Sequence, residues 1–343
     1  MLRRMTPASR PLLAPLALAL FALAGLGACS RSKQAPSGDE RAKPARGDDE
    51  RAKVKLVLNW VADPEFGGFY AAREGGLFAK AGLDVDIVGG GAGVPVVQMV
   101  AAGQADFGIS GADEILMARA RGVDIVPLFA VFQTSPQAIM VHASRDVKNI
   151  SDLLAQGGTL AIEHGLPYAA FLKKKYGFDK VRVVPYDGGI AQFVLDKSYA
   201  QQCFVTSEPI AARKQGAMPT TFLIADEGYN PYIVVAVTRR ALLKEKPDLV
   251  RAFRRAALDG WRRYLDDPAP TNAVIAKLNP SLDPTALPMI AATQQPLIET
   301  TVTRAKGLGA MSKERWTAIM QQLVELKIID QPLPVDDLLA AAE

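Results

Sequence analysis

From residue 54 onward, short apolar runs bounded by glycine, proline and polar residues alternate with longer amphipathic segments. That alternation restricts the fold more than any other feature of the chain. Segments 54–59 (VKLVLN), 83–88 (LDVDIV), 106–110 and 124–132 read as strands, and 65–80 (broken by Gly75 and Gly76), 94–102 and 113–121 read as helices. Such a series builds βαβ units on a largely parallel sheet. A second series follows, with strands at 159–163, 181–185, 203–206 and 221–225 and helices at 168–176, 190–195 and 209–215. Residues 233–238 form another extended run. Beyond Arg240 the pattern is helical, at 248–265, 270–277, 284–300 and 313–326. No internal repeat of fixed period is evident.

A body of about 290 residues is long for one core, so two lobes are expected. The simplest routing gives an α/β chain with lobe 1 at 54–142, lobe 2 at 143–232, and a return to lobe 1 at 233–343 with the C-terminal helices packed there. Two crossings, near 136–145 and 231–239, make a hinge beneath a cleft. Open α/β sheets bind ligands outside the carboxyl ends of their strands. Here both lobes would aim those ends into one cleft.

The N-terminus carries a different message. Arg3, Arg4 and Arg10 precede an apolar stretch over 12–26, and Leu26-Gly27-Ala28-Cys29 closes it. A basic start, an apolar middle and small residues before a cut site make a secretory signal over 1–28. Pro11 and Pro15 interrupt the stretch, which falls short of the ~20 residues a membrane-spanning helix needs. With Cys at the first mature position the pattern resembles a bacterial lipobox. That resemblance implies a lipidated Cys29 and a membrane-tethered protein outside the cytoplasm. Residues 30–53 hold no large apolar side chain and read as a disordered linker.

Charge narrows the partners. The chain is +4; three arginines lie before Cys29, and 30–53 holds seven basic against five acidic residues, which leaves a body near −1. A body so close to neutral argues against nucleic acid. The glycine-rich 89–93 lacks the Lys-Ser/Thr of a phosphate loop. With Cys29 lipidated, Cys203 is a lone thiol, expected to be buried. His142 and His164 are far apart and without cysteine company, so no metal site is expected. Arg251, Arg254, Arg255, Arg262 and Arg263 alternate with Phe253, Leu258 and Trp261, which reads as a solvated basic face over an apolar one.

Four motifs are more specific: Asn59-Trp60 at a strand end, Gly76-Leu77-Phe78, Gly82-Leu83-Asp84-Val85, and Gly103-Gln104-Ala105-Asp106-Phe107-Gly108. Together they resemble the solute-binding proteins of ABC importers, in the branch whose members bind thiamine-pyrimidine precursors, alkanesulfonates, nitrate and riboflavin. The resemblance spans nearly all of 54–270. It implies the two-lobe periplasmic-binding-protein type 2 fold, a non-catalytic role, a small-molecule ligand and an ABC permease partner. A monomer without cofactor is expected.

Residue by residue, Asn59 and Trp60 follow a strand end. Phe66 and Tyr70 share a helix face with Phe69 at i, i+3, i+4 spacing, an aromatic wall suited to a planar ligand; the competing reading puts these rings in the core. Ser110 and Gly111 lie where a strand opens into a helix, whose free N–H groups attract oxygens, with plain capping as the alternative. Gln133 and Thr134 stand at the first crossing, and Gln133 can both donate and accept. In lobe 2, Glu163, Thr206 and Glu208 follow strand ends, and Glu208 is placed to accept from a ligand amino group. Tyr229 marks the second crossing.

The same fold includes a eukaryotic-type synthase that makes the thiamine pyrimidine from its own histidine and bound pyridoxal phosphate. By motif that histidine falls at Phe66 and the Schiff-base lysine at Ser110, and the synthase's cysteine-rich stretch has no counterpart. A sensor domain working without a transporter is a third class. The reading that fits best is an extracytoplasmic lipoprotein that captures a small heterocycle, with a thiamine pyrimidine precursor first.

Overall fold

The computed structural model describes residues 51–91, 93–163 and 165–339. The expected signal sequence, Cys29 and nearly all of the expected linker lie outside them. The described chain forms two five-stranded sheets. The first contains β1 (Ala52–Val57), β2 (Leu83–Val88), β3 (Phe107–Ser110), β4 (Ile125–Phe132) and β10 (Ile233–Arg239), in the order β2-β1-β3-β10-β4. The second contains β5 (Gln137–His142), β6 (Gly158–Ala161), β7 (Val181–Val184), β8 (Tyr199–Phe204) and β9 (Pro219–Leu223), in the order β7-β6-β8-β5-β9.

The sheets are mixed rather than largely parallel. β1 runs parallel to β2 and β3, and β6 parallel to β7 and β8. β10 is antiparallel to β3 and β4, and β5 antiparallel to β8 and β9. The reason is the routing. β5 and β10 are the strands by which the chain enters each sheet from the other, so both start at the cleft, where the parallel strands end.

Both crossings are short. β4 ends at Phe132 and β5 begins at Gln137, so the expected lobe 1 segment 54–142 takes in a strand that belongs to the second sheet. The return passes through 228–232 into β10. Arg315, on the helix Lys313–Glu325, ties the crossings together: Nε donates to the Asn230 carbonyl at 2.9 Å, Nη2 to Asn230 Oδ1 at 2.9 Å and to the Pro231 carbonyl at 3.2 Å, and Nη1 to the Gln133 carbonyl. Its guanidinium also lies 3.9 Å from the centre of the Tyr232 ring.

The first sheet is covered on both faces, which is why β4 (IVPLFAVF) is buried along its whole length. On one face the helices Gly67–Glu74 and Pro247–Asp266 cross closely. A Cβ on Gly68 would stand 2.1 Å from the Trp261 ring, and one on Gly260 would stand 2.2 Å from the Gly68 carbonyl oxygen. Only glycines allow this approach. Phe66, Phe69 and Tyr70 fill the space beneath, and Phe69 meets the edge of Trp261 at a ring separation of 5.9 Å. Val250, Phe253, Ala257 and Trp261 form the buried face of the long helix.

Candidate ligand-binding site

The crossings and strand ends enclose a cavity of about 150 Å³ between the sheets. Asn59, Glu65, Gly111, Asp113 and Glu114 line it from the first lobe; Tyr168, Phe204, Ile224 and Tyr229 line it from the second lobe and its exit. The lobes also touch beyond the cavity. Lys214 pairs with Asp283 at 2.5 Å on one side, Lys174 pairs with Glu325 at 3.5 Å on the other, and Ile210 packs among Leu287 and Ile290.

Of the residues expected from sequence, Asn59, Gly111 and Tyr229 line this cavity. Asn59 Oδ1 is buried and has no hydrogen-bond partner among the described residues. Gly111 precedes the helix Ala112–Ala120, where Glu114 reaches back to cap. Tyr229 packs on Phe171 with ring centres 5.4 Å apart, and its hydroxyl donates to Asp113 Oδ2 at 3.0 Å. That bond joins the return crossing to the first lobe.

The expected aromatic wall from the first lobe is not built. Phe66 is fully buried in the core and Tyr70 nearly so, because their shared helix face is the one pressed on the sheet and on Trp261. Trp60 is 45% exposed; its carbonyl accepts from Gly90 N–H at 2.8 Å, which holds the backbone while the indole stands clear of the cavity lining. Ser110 spends its hydroxyl on Glu114, donating to Oε2 at 2.6 Å. Gln133 serves the hinge: Nε2 donates to the carbonyls of Ala130 (3.2 Å) and Ala310 (3.0 Å). Thr134 N–H donates to the Leu297 carbonyl at 3.0 Å. Glu163 is exposed, with its N–H bound to Gln202 Oε1 at 2.6 Å. Thr206 is buried in the turn before the helix Glu208–Lys214. Glu208 lies behind the lining. Its carboxylate accepts from Tyr186 Oη and from Phe204 N–H, both at 2.8 Å, and its charge still reaches Asp63 and Glu65 across the cleft.

The site is acidic. Burial holds the Asp63 carboxyl up at about 6, with the Glu208 charge adding to the effect. Burial, then Asp63, then Glu208 push Glu65 well above the usual carboxylate range. Burial followed by the Glu114 charge raises Asp113 to about 6. Burial also raises Glu208. Among the described residues no hydrogen bond or ion pair engages the Glu65 carboxylate, and no Lys or Arg lines the cavity.

Sequence reasoning missed Glu65, Tyr168 and Phe204, and offered Asp113 as an alternative to Ser110 for capping the helix or meeting the ligand. The signal for Glu65 was present in Asp63-Pro64-Glu65: Asp63 caps a short 3-10 turn through its bond from Glu65 N–H at 3.2 Å, which points the next carboxylate at the strand ends. Tyr168 sits in the first turn of the helix Pro167–Tyr176, the mouth position that sequence had singled out for Glu163.

Comparison with known proteins places this geometry. The formylaminopyrimidine-binding protein of Halalkalibacterium halodurans is 24% identical over 301 residues, covering 84% of this chain and 90% of the relative. The riboflavin-binding protein RibY of Chloroflexus aurantiacus is 23% identical, covering 93% and 94%. Among solved structures, the periplasmic aliphatic sulphonate binding protein SsuA of Escherichia coli superposes with a TM-score of 0.62 at 15% identity, over 83% of this chain and 91% of that one; the fold is that of the periplasmic binding proteins. The family model described as NMT1/THI5 like matches residues 63–271, more than half of the chain, and the chain belongs to the NMT1/THI5 like family.

Proposed function

We propose that this protein is the extracytoplasmic solute-binding component of an ABC importer, which shuts its two lobes on a single-ring nitrogen heterocycle of the aminopyrimidine class. The cavity carries the reading. Its volume of about 150 Å³ is near that of an engineered cavity that accepts benzene, which favours a single ring over the three fused rings of a flavin. Tyr168, Phe204 and Tyr229 supply flat apolar surface. Asn59 Oδ1 and Glu65 supply acceptors that lack a protein donor, as exocyclic amino groups require. A sulfonate or nitrate would need fixed donors and would meet carboxylates instead. The name of the Halalkalibacterium relative points to the same ligand class.

Ligand contacts made only in the shut form shift the open–closed equilibrium toward the state a permease reads. Asn59, Gly111 and Tyr229 contact the ligand directly in this reading, and Glu208 acts through Phe204 and Tyr186. A synthase does not fit this reading: at the two positions where the motif resemblance puts that enzyme's histidine and lysine stand a core phenylalanine, Phe66, and a hydroxyl committed to Glu114, Ser110. Without an amine there no Schiff base forms. A transporter-independent sensor would use the same cleft and differ in its partner. The protein works as a monomer, tethered through lipidated Cys29. Cys29→Ser should abolish palmitate incorporation and release the protein from the membrane; a wild type that incorporates no palmitate overturns the tether.

The test is mass spectrometry of small molecules released from protein purified without refolding, followed by a thermal-shift series of aminopyrimidines, riboflavin, taurine and nitrate. An aminopyrimidine gives the largest shift. A flavin or a sulfonate as the released species overturns the ligand assignment, and turnover of any bound compound overturns the binding role.

A further inference from the structure

The acids around the cavity come from three separate elements, and nothing described balances them. Asp63 and Glu65 stand on the 3-10 turn Pro64–Phe66 and its cap, Asp113 and Glu114 on the first turn of the helix Ala112–Ala120, and Glu208 on the first turn of the facing helix in the second lobe. The charges that bear on Asp63, Glu65 and Asp113 are other carboxylates: Glu208 on Asp63, Asp63 and Glu208 on Glu65, and Glu114 on Asp113. Glu163 and Glu208 add negative charge beside Tyr168. The guanidinium of Arg315, at the crossings, is engaged by the carbonyls of both. His164 lies outside the described residues.

Two acceptors in the lining lack donors: the half-buried Glu65 carboxylate, engaged by no described residue, and the buried Asn59 Oδ1. A carboxylate that loses its remaining water as the cleft shuts, without gaining a partner, is costly, and like charges facing one another across a cleft oppose its closure.

We infer that the ligand of this cleft is a cation: a single ring bearing an amidinium or ammonium group, whose positive charge sits between Glu65 and Asp113 and removes the repulsion that otherwise resists closure of Glu208's lobe. The inference rests on the function proposed above and adds a charge requirement to it, one that an aminopyrimidine meets when its ring nitrogen is protonated or when it bears an ammonium substituent. Selection is then electrostatic as well as steric. An anion of the same shape is rejected by Glu65, Asp113 and Glu208 together, and a neutral isostere leaves the carboxylates unpaired.

Benzamidine, benzamide and benzoate have nearly one shape and differ in charge, so calorimetry with these three probes separates charge from fit. Benzamidine should bind about tenfold or more tighter than benzamide, the ratio by which a charge-assisted hydrogen bond exceeds a neutral one, and benzoate should not bind. In Glu65→Gln/Asp113→Asn the ratio should fall to near unity, with circular dichroism confirming an unchanged fold. The inference is overturned if benzamidine fails to bind, if benzamide binds as tightly, or if the preference survives in the double variant. The two readings fail separately. Aminopyrimidine binding without a benzamidine preference sinks the charge requirement alone. A benzamidine preference in a protein that binds no pyrimidine sinks the aminopyrimidine reading alone.

Discussion

Two aromatic trios make the most instructive contrast in this molecule. Phe66, Phe69 and Tyr70 recur at helical spacing on one element, and all three are core. Tyr168, Phe204 and Tyr229 come from three unrelated elements, share no spacing, and line the cavity. A periodic stripe on a helix is a packing surface, because the regular spacing suits another regular element. A ligand is surrounded by single side chains from many strand ends and helix starts, so its wall has no period. The same asymmetry divides the lining: the first lobe supplies its carboxylates, with Glu208 of the second standing behind, and the second lobe and its exit supply the rings.

The contrast breaks most visibly in stability. Phe69→Ala should cost about 3–5 kcal/mol of folding stability, the range for emptying a large aromatic from a packed core, since Phe69 is fully buried and touches both Trp261 and Phe129. Urea denaturation measures it. A cost below about 1 kcal/mol would mean that the helix face is not packed as described.

Phe204→Ala should show the opposite balance. Phe204 is half-buried and lines the cavity, so truncation weakens ligand binding by about 1.5–3 kcal/mol, the scale of burying one large apolar side chain, while stability falls less than in Phe69→Ala. Calorimetry with the ligand recovered from native protein reads the first quantity and urea denaturation the second. Unaltered affinity would remove the second lobe's rings from the binding surface.

The acidic side of the cleft gives a pH signature of smaller size. The folded Asp113 carboxyl stands at about 6, against an ordinary value of 3.8. As pH climbs between those values the unfolded chain ionises first, so the folded state binds more protons and this group's contribution to stability falls. Asp63, also held at about 6, acts in the same direction. The ligand-free protein should therefore lose part of its thermal stability over that window, and Asp113→Asn should lose less of it while keeping an acceptor for Tyr229. Identical pH profiles for the two proteins would show that Asp113 is not held above its ordinary value in the empty cleft.

How much of this was legible in the sequence follows the same division. Strands with unbroken apolar character were found close to their ends, as with 124–132 and β4. β8 was set too far along, starting at Cys203, because Tyr199-Ala200-Gln201-Gln202 looks polar; both glutamines are buried and bonded, Gln201 Nε2 to the Gly189 carbonyl and Gln202 Oε1 to the Glu163 N–H. β5 was missed as a strand since Gln137 follows Thr134-Ser135-Pro136 and reads as a turn, while its pairing with β8 and β9 is long-range. In the site, strand ends and helix starts were legible as places, but which residue at each faced the cavity was not. That choice depends on the local turn, as at Asp63-Pro64-Glu65, and on what the opposite face packs against.

Trp60 tests the contrast at its weakest point. It is the one large aromatic that the first lobe presents near the cleft without burying it in the core, and at 45% exposure it is bound to neither trio. Its backbone is fixed by the Gly90 N–H, so the loop does not depend on the indole. Trp60→Ala should shift folding stability by less than about 0.5 kcal/mol, as surface substitutions usually do, and should weaken ligand binding less than Phe204→Ala, because the shut cavity is lined without it. Calorimetry on the two variants side by side decides the order. If Trp60→Ala weakens binding as much as or more than Phe204→Ala, the indole folds over the ligand during closure and the first lobe contributes a ring after all. The division into an acidic lobe and an aromatic lobe would then hold for the empty protein and not for the loaded one.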